Sequence, residues 1–95
     1  MNQVVLTACV VEQKALRYTP AGLPALDLML EHASEIRQNN QTRQVKLVIR
    51  ATGFGALAER LAVQPVGSSW RFEGFLATPL NGKHPVLQLQ EFQPI

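Results

Sequence analysis

Few residues in this chain of 95 could act as nucleophiles, bases or metal ligands. Nucleophilic catalysis needs a Ser, Cys or Thr that meets a His oriented by a carboxylate. His32 follows Glu31 in a segment with strand-like alternation, so their side chains point to opposite faces. His32, His84 and the single Cys9 do not supply the three or four ligands that a zinc site requires. We therefore expect no catalytic residue and no metal.

A phosphate-binding loop is also missing from the sequence. Gly53-Phe54-Gly55 lacks the lysine of a Walker motif and the third glycine of a dinucleotide fingerprint. A single cysteine excludes an intramolecular disulfide scaffold. We therefore expect a protein that is not an enzyme and needs no cofactor, and binding is the function class that remains.

The charge composition is weakly in favour of an anionic partner. Nine Lys and Arg residues against seven Asp and Glu residues give a formal net charge of +2. Six of the nine are arginines, which make bidentate contacts with phosphates and stack on bases. The hydrophobic fraction of 46% is typical of a globular protein.

A run of β-branched residues in the first case and alternating or apolar segments in the others predict five strands separated by short connections. They cover Val4–Val11, Leu26–Glu31, Gln44–Ala51, Trp70–Leu76 and Val86–Phe92. Leu57 and Leu61, four apart in an Ala-rich stretch, predict a short helix within residues 53–62. The polar residues 35–42 are expected to form a loop, and Asn81-Gly82 predicts a hairpin turn between the last two strands.

This order of elements predicts an all-β fold, the five-stranded Greek-key barrel called the OB-fold. The connections are too short for parallel βαβ crossovers. We expect residues 1–95 to form a single OB-fold domain with the short helix between strands 3 and 4, and an SH3-like barrel is the alternative. Gly74 predicts a bulge or bend in the fourth strand, and Trp70 and Phe72 are expected to lie inside the barrel or at the dimer seam.

The basic residues follow the surface on which an OB-fold binds oligonucleotides. That surface is the face of strands 2 and 3, flanked by the loops between strands 1 and 2 and between strands 4 and 5. Basic side chains there contact phosphates, and aromatic rings stack on bases. The predicted DNA-binding residues are Arg17 and Tyr18 in the first loop, Arg37 and Arg43 between strands 2 and 3, Lys46 and Arg50 on strand 3, and Lys83 and His84 in the last loop. The acidic residues Glu12, Glu59, Glu73 and Glu91 are expected to lie mostly elsewhere.

The first predicted strand is apolar on both of its faces. One face fills the barrel, and the other, which carries Val5, Cys9 and Val11, needs a cover. Because an open strand edge tends to pair with a copy of itself, we expect a two-fold homodimer that buries part of this strand.

Several motifs resemble one known family over nearly the whole chain. The turn Thr19-Pro20-Ala21-Gly22-Leu23-Pro24 leads into Leu30-Glu31-His32-Ala33-Ser34. Arg43, Gly53 with the short helix, Gly74-Phe75-Leu76-Ala77 and Val86-Leu87-Gln88-Leu89 follow in order. This series resembles the primosomal replication protein N (PriB) family, small relatives of bacterial single-stranded DNA-binding proteins.

The resemblance implies an OB-fold homodimer that binds single-stranded DNA. Its implied partners are the PriA helicase and other primosome proteins, which it would assist in replication restart without catalysis of its own. The family's better-known members place aromatics near Gln41 and Lys46 and have a longer loop where this chain has residues 79–84. A general single-stranded DNA-binding protein and an OB-fold protein-interaction scaffold with weak nucleic-acid affinity are the alternatives.

The sequence also predicts a location. No apolar stretch approaches the roughly 18 residues that a membrane span needs. The N-terminal residues lack the basic segment and cleavage site of a signal peptide. We therefore expect a cytoplasmic protein that does not associate with membranes.

Overall fold

The computed structural model describes residues 1–95 and contains six strands and one helix. The elements are β1 (Val4–Gln13), β2 (Arg17–Tyr18), β3 (Pro24–Gln38), β4 (Gln41–Phe54), α1 (Ala56–Ala62), β5 (Ser69–Ala77) and β6 (Val86–Gln93). β2 is only two residues long, so five long strands remain, with α1 between the third and the fourth of them. No helix in the structure combines the length and apolar character needed to cross a membrane.

One bent strand closes the sheet into a barrel. The strand order is β1-β5-β6-β4-β3-β2, and β1 also pairs with β3. Residues Val4–Cys9 of β1 pair with β5, and the strand pairs with β3 from Cys9 onward, past a bulge between Val10 and Glu12. All pairings are antiparallel except that of β4 with β6, which is parallel and involves two residue pairs. A bulge bends a strand and increases its twist, which lets β1 serve both edges of the sheet.

The barrel interior is filled by the inward residues of the strands and closed at one end by α1. Phe72 is fully buried, as the sequence predicts, and its ring stacks on that of Phe92 with centroids 6.4 Å apart. Trp70 is half-buried and packs edge-on against Phe92 at 5.1 Å. α1 contributes Leu57 and Leu61, together with a buried alanine, to the same core.

Gly74 lies opposite a bulge, but the extra residue is in β6 and not in the fourth long strand, where the sequence predicts a bulge or bend. Glu73 faces Glu91 across the β5–β6 pair, whereas Gly74 faces Leu89, so β6 has one extra residue at this point. A Cβ atom on Gly74 would lie 2.0 Å from the backbone oxygen of Gln88. Only glycine fits such a close approach of two backbones.

The predicted loop over residues 35–42 is wrong. β3 and β4 continue through this segment as a paired ribbon and meet at a two-residue turn, where Asn39 and Asn40 have φ values of 52° and 60°. Two left-handed residues suit the twist of a hairpin, and asparagine tolerates that conformation. Both faces of the ribbon are largely exposed and polar, so the segment has no hydrophobic period to mark it as a strand. Principal extents of 51, 29 and 21 Å make the molecule elongated.

Candidate nucleic-acid interface

The paired strands β3 and β4 present one continuous outward face. Residues opposite each other in an antiparallel pair share a face, and Met29 lies opposite Arg50 while Ala33 lies opposite Lys46. Lys46 and Arg50 are both exposed, with the exposed Val48 between them. At about 3.3 Å per residue, Lys46 and Arg50 are roughly 13 Å apart along β4. The structure therefore places these two predicted residues on one side of the sheet.

A groove of about 530 Å³ runs beside this face, between the residues that follow β1 and the loop that follows β5. Arg17 reaches it from β2, and Arg50 reaches it from β4. A second hollow of about 590 Å³ shares Arg50 with the groove and is lined by Lys83 and His84. Four of the predicted residues are thus brought together, although they come from three separate parts of the chain.

Most of the unpaired positive charge, all of it except that of Arg43, lies on this side of the molecule. The structure contains three ion pairs, Arg17 with Asp27, Arg60 with Glu91, and Arg71 with Glu73. The other six cationic side chains form none, and they are Lys14, Arg37, Arg43, Lys46, Arg50 and Lys83. All six belong to the groove, to the hollow beside it, or to the β3–β4 ribbon. The same side also carries Glu12, Asp27, Glu31 and Glu35, so it has a small excess of positive charge, which favours an anion.

Arg17 differs from the other predicted residues because its charge is already paired. Its Nε donates to Oδ2 of Asp27 at 2.8 Å and its Nη2 donates to Oδ1 at 3.3 Å. Thr52 Oγ1 donates to the same Oδ1 at 3.0 Å. The hydrogen bond from Arg17 lowers the pKa of Asp27 below its ordinary value of 3.8, and the same bond raises the pKa of Arg17. Both groups are therefore charged at neutral pH.

Of the four acidic residues expected to lie mostly elsewhere, Glu59, Glu73 and Glu91 lie outside both hollows, whereas Glu12 lines the groove. Asp27, which was not among those four, lines it too. Asp27 alternates with the buried Leu26 and Leu28 on β3, so it faces outward on the same side as Arg50. The pairing with Arg17 could not be anticipated, because β2 is too short to have a recognisable pattern.

Three further predicted residues, like Lys46, lie outside both hollows. Arg37 lies opposite Thr42 and shares the outward face with Lys46. Arg43 lies opposite Ile36, on the other face of the ribbon, so it does not join that row. Tyr18 is exposed on β2, 65% accessible, and lines neither hollow.

Two groove residues of the basic or aromatic types that bind nucleic acids were not predicted from the sequence. Lys14 follows the end of β1, and Phe54 is the last residue of β4, with 41% of its surface exposed. Phe54 has the same parity as Lys46 and Arg50 along β4, and this alternation is the signal that could have revealed it. The predicted third strand ended at Ala51, because the glycines that follow resemble the start of a helix.

Comparison with known proteins agrees with this geometry. Residues 2–91 match the model of a family described as another single-strand binding protein family. The replication restart protein PriB of Bordetella pertussis is 48% identical over 77 residues, which cover 81% of this chain and 72% of that protein. The chain belongs to the PriB family. The structure of PriB from Ralstonia solanacearum superposes with a TM-score of 0.90 at 30% identity, covering 99% of this chain and 97% of that one.

This PriB-family chain also shares its fold with a larger protein. The single-stranded DNA-binding protein from Thermus aquaticus superposes with a TM-score of 0.79 at 25% identity, covering all of this chain and 50% of that one. The closed five-stranded barrel with one short helix is therefore common to PriB and to single-stranded DNA-binding proteins. The family resemblance drawn from the sequence is confirmed.

Proposed function

We propose that this chain is a single-stranded DNA-binding accessory protein of the replication restart primosome and assists the PriA helicase there. The observation that carries the proposal is the confinement of all six unpaired cations to the groove, the adjoining hollow and the β3–β4 ribbon. The relatives are named for replication restart, and the matching family model is one of single-strand binding proteins. The proposed role is binding, without catalysis and without a cofactor.

The geometry suits an extended single strand. Phosphates of such a strand follow one another at intervals on the order of 6–7 Å, so the roughly 13 Å between Lys46 and Arg50 spans about two of them. Phe54 offers an exposed ring at the end of the same row. Aromatic rings stack on any unpaired base, whereas the bases of a duplex are already stacked on one another. The proposal therefore includes a preference for single strands with little preference for sequence.

Lys46→Ala and Arg50→Ala test the proposed surface directly. Each variant should weaken single-strand binding similarly for all sequences and make the salt slope of log K shallower by roughly 0.7, the value for one phosphate contact. Neither should change the free energy of unfolding by more than about 0.5 kcal/mol, because both side chains are exposed. Fluorescence anisotropy with labelled oligonucleotides over a range of salt concentrations measures both effects.

Arg71→Ala is the matched control for these variants. It also removes one exposed cation, but from β5 and outside both hollows, and the surface ion pair that it breaks with Glu73 contributes little to stability. Affinity and salt slope should both stay at the wild-type values. A double Lys46→Ala, Arg50→Ala variant that bound as the wild type does would contradict the proposal and favour the protein-interaction scaffold.

We also propose that two copies form a homodimer through β1. Residues Val4–Ala8 pair with β5 on one side only, because β3 joins β1 from Cys9 onward. Val5 and Val11 expose 49% and 40% of their surfaces on the outward face of this strand. Open strand edges with apolar faces favour pairing between copies. Sedimentation at micromolar concentration should show a dimer, and a single 10.5 kDa species would contradict it.

We infer that residues 1–95 form one OB-fold domain with Greek-key connectivity, and the parallel pairing of β4 with β6 beside otherwise antiparallel neighbours supports this. A role at replication forks implies a cytoplasmic location, since that compartment holds the bacterial chromosome.

A further inference from the structure

The groove proposed to bind DNA is lined by two carboxylates, those of Asp27 and Glu12. Asp27 faces outward from β3, lies opposite Thr52 and lines the groove together with Lys14 and Arg50. A negative charge in this position opposes a polyanion, so its presence calls for an explanation.

The contacts of Asp27 imitate those of a bound phosphate. Two nitrogens of the Arg17 guanidinium donate to its two oxygens at 2.8 and 3.3 Å. This paired arrangement is the one that arginine forms with a phosphate group. The Thr52 hydroxyl donates to the same carboxylate. Asp27 therefore occupies the donors that a phosphate of the DNA strand would use.

We propose that Asp27 is an intramolecular competitor for nucleic-acid phosphate, which lowers the affinity of the groove for single strands and speeds their release. This inference rests on the proposed function, because it concerns the same groove. Asp27 would then determine the affinity for DNA without contacting the DNA itself.

The two partners differ in their freedom to move. Asp27 is on a long, fully paired strand, and Thr52 on the adjacent β4 fixes its carboxylate. Arg17 is in the two-residue β2, and its side chain is 50% exposed. Arginine carries several rotatable bonds, so Arg17 turns towards the phosphate while Asp27 stays in place. The Asp27 carboxylate, no longer paired, then repels the DNA strand. When the DNA leaves, Arg17 pairs with Asp27 again.

Asp27→Asn tests the inference because it keeps the shape and removes the charge. Binding of fluorescent oligothymidylate should tighten roughly fivefold at 0.1 M salt, and the salt slope should steepen by up to roughly 0.7, because no carboxylate is left to take up a cation when Arg17 turns to the phosphate. Dissociation measured by stopped flow should slow, because affinity differences among variants of one interface fall mostly on that rate. Glu91→Gln is the matched control, since it also removes a carboxylate from an exposed ion pair but does so outside the groove.

Two further variants separate release of Arg17 from a general change of charge. When Arg17 is already replaced by alanine, the additional Asp27→Asn substitution should no longer steepen the salt slope of log K. Asp27→Glu, which keeps the carboxylate, should bind as the wild type does. An equal gain in the Arg17→Ala background, or a gain on substitution by Glu, would overturn the proposal.

The proposed function and this inference fail in different ways. If the wild type binds oligothymidylate and Asp27→Asn tightens it no more than Glu91→Gln does, only the inference is overturned. If neither the wild type nor Asp27→Asn binds, the proposed function falls and the inference falls with it.

An independent readout on the wild type is the ¹³C resonance of the Asp27 carboxyl, which should shift as oligothymidylate is added. An unchanged resonance at saturation would also overturn the inference.

Discussion

Replacement of Phe72 with alanine is expected to lower the free energy of unfolding by about 3–5 kcal/mol, the usual cost of truncating a buried aromatic side chain. Phe72 is fully buried, and its ring stacks on Phe92, which in turn packs against Trp70. The cavity would therefore open in the middle of the core. Since small domains are stable by only about 5–15 kcal/mol, urea unfolding should show a large shift of the midpoint.

Leu80→Ala is the control for this measurement. Leu80 is almost fully exposed in the loop after β5, so its truncation should change stability by less than about 0.5 kcal/mol. A Phe72→Ala protein that kept its melting temperature but lost DNA binding would mean that this face of β5 is a binding surface and not the core.

Replacement of Phe54 with alanine is expected to weaken single-strand binding more than any single loss of charge. Stacking of one base on an aromatic ring contributes roughly 1–3 kcal/mol, so the dissociation constant should rise about 5- to 150-fold. The salt slope should stay unchanged, because no charge is removed. Anisotropy titrations at two or more salt concentrations distinguish this result from the effect of Lys46→Ala.

Phe54→Tyr provides the control, since it keeps a ring at the same exposed position. Its affinity should remain close to that of the wild type. If Phe54→Ala bound as tightly as the wild type, the ring would have no role in binding, and the cations alone would hold the strand.

The elements with a buried face were the ones that the sequence could predict. The alternation in β5 could be recognised because one face of that strand is buried, and β1 could be recognised from its run of β-branched residues. Gly74 indicated an irregularity in the β5–β6 pair, where no side chain fits. The ribbon at Asn39 and Asn40 escaped prediction, because a strand with solvent on both faces has no hydrophobic alternation. The position of α1 followed from its Ala and Leu content alone.

The candidate site was harder to predict for a different reason. Lys46 and Arg50 could be placed from their spacing along one strand. The ion pair of Arg17 with Asp27 joins residues from different strands, and nothing in the spacing of ten residues specifies it. Phe54 could be assigned to the site only once the end of β4 was known, and β4 ends three residues beyond the predicted end. Charges and rings brought together by tertiary pairing require the fold before they can be assigned.

The parallel contact between β4 and β6 has fewer paired residues than any other contact that closes the barrel. It joins Ala51 to Leu87 and Thr52 to Gln88. Local opening starts where the fewest backbone hydrogen bonds must break, so the amide protons here should exchange early in the free protein. Thr52 and Gln88 both line the groove, one from each strand. A DNA strand that contacted both residues would hold β4 and β6 together. Binding of DNA should therefore slow hydrogen exchange along β4 and β6.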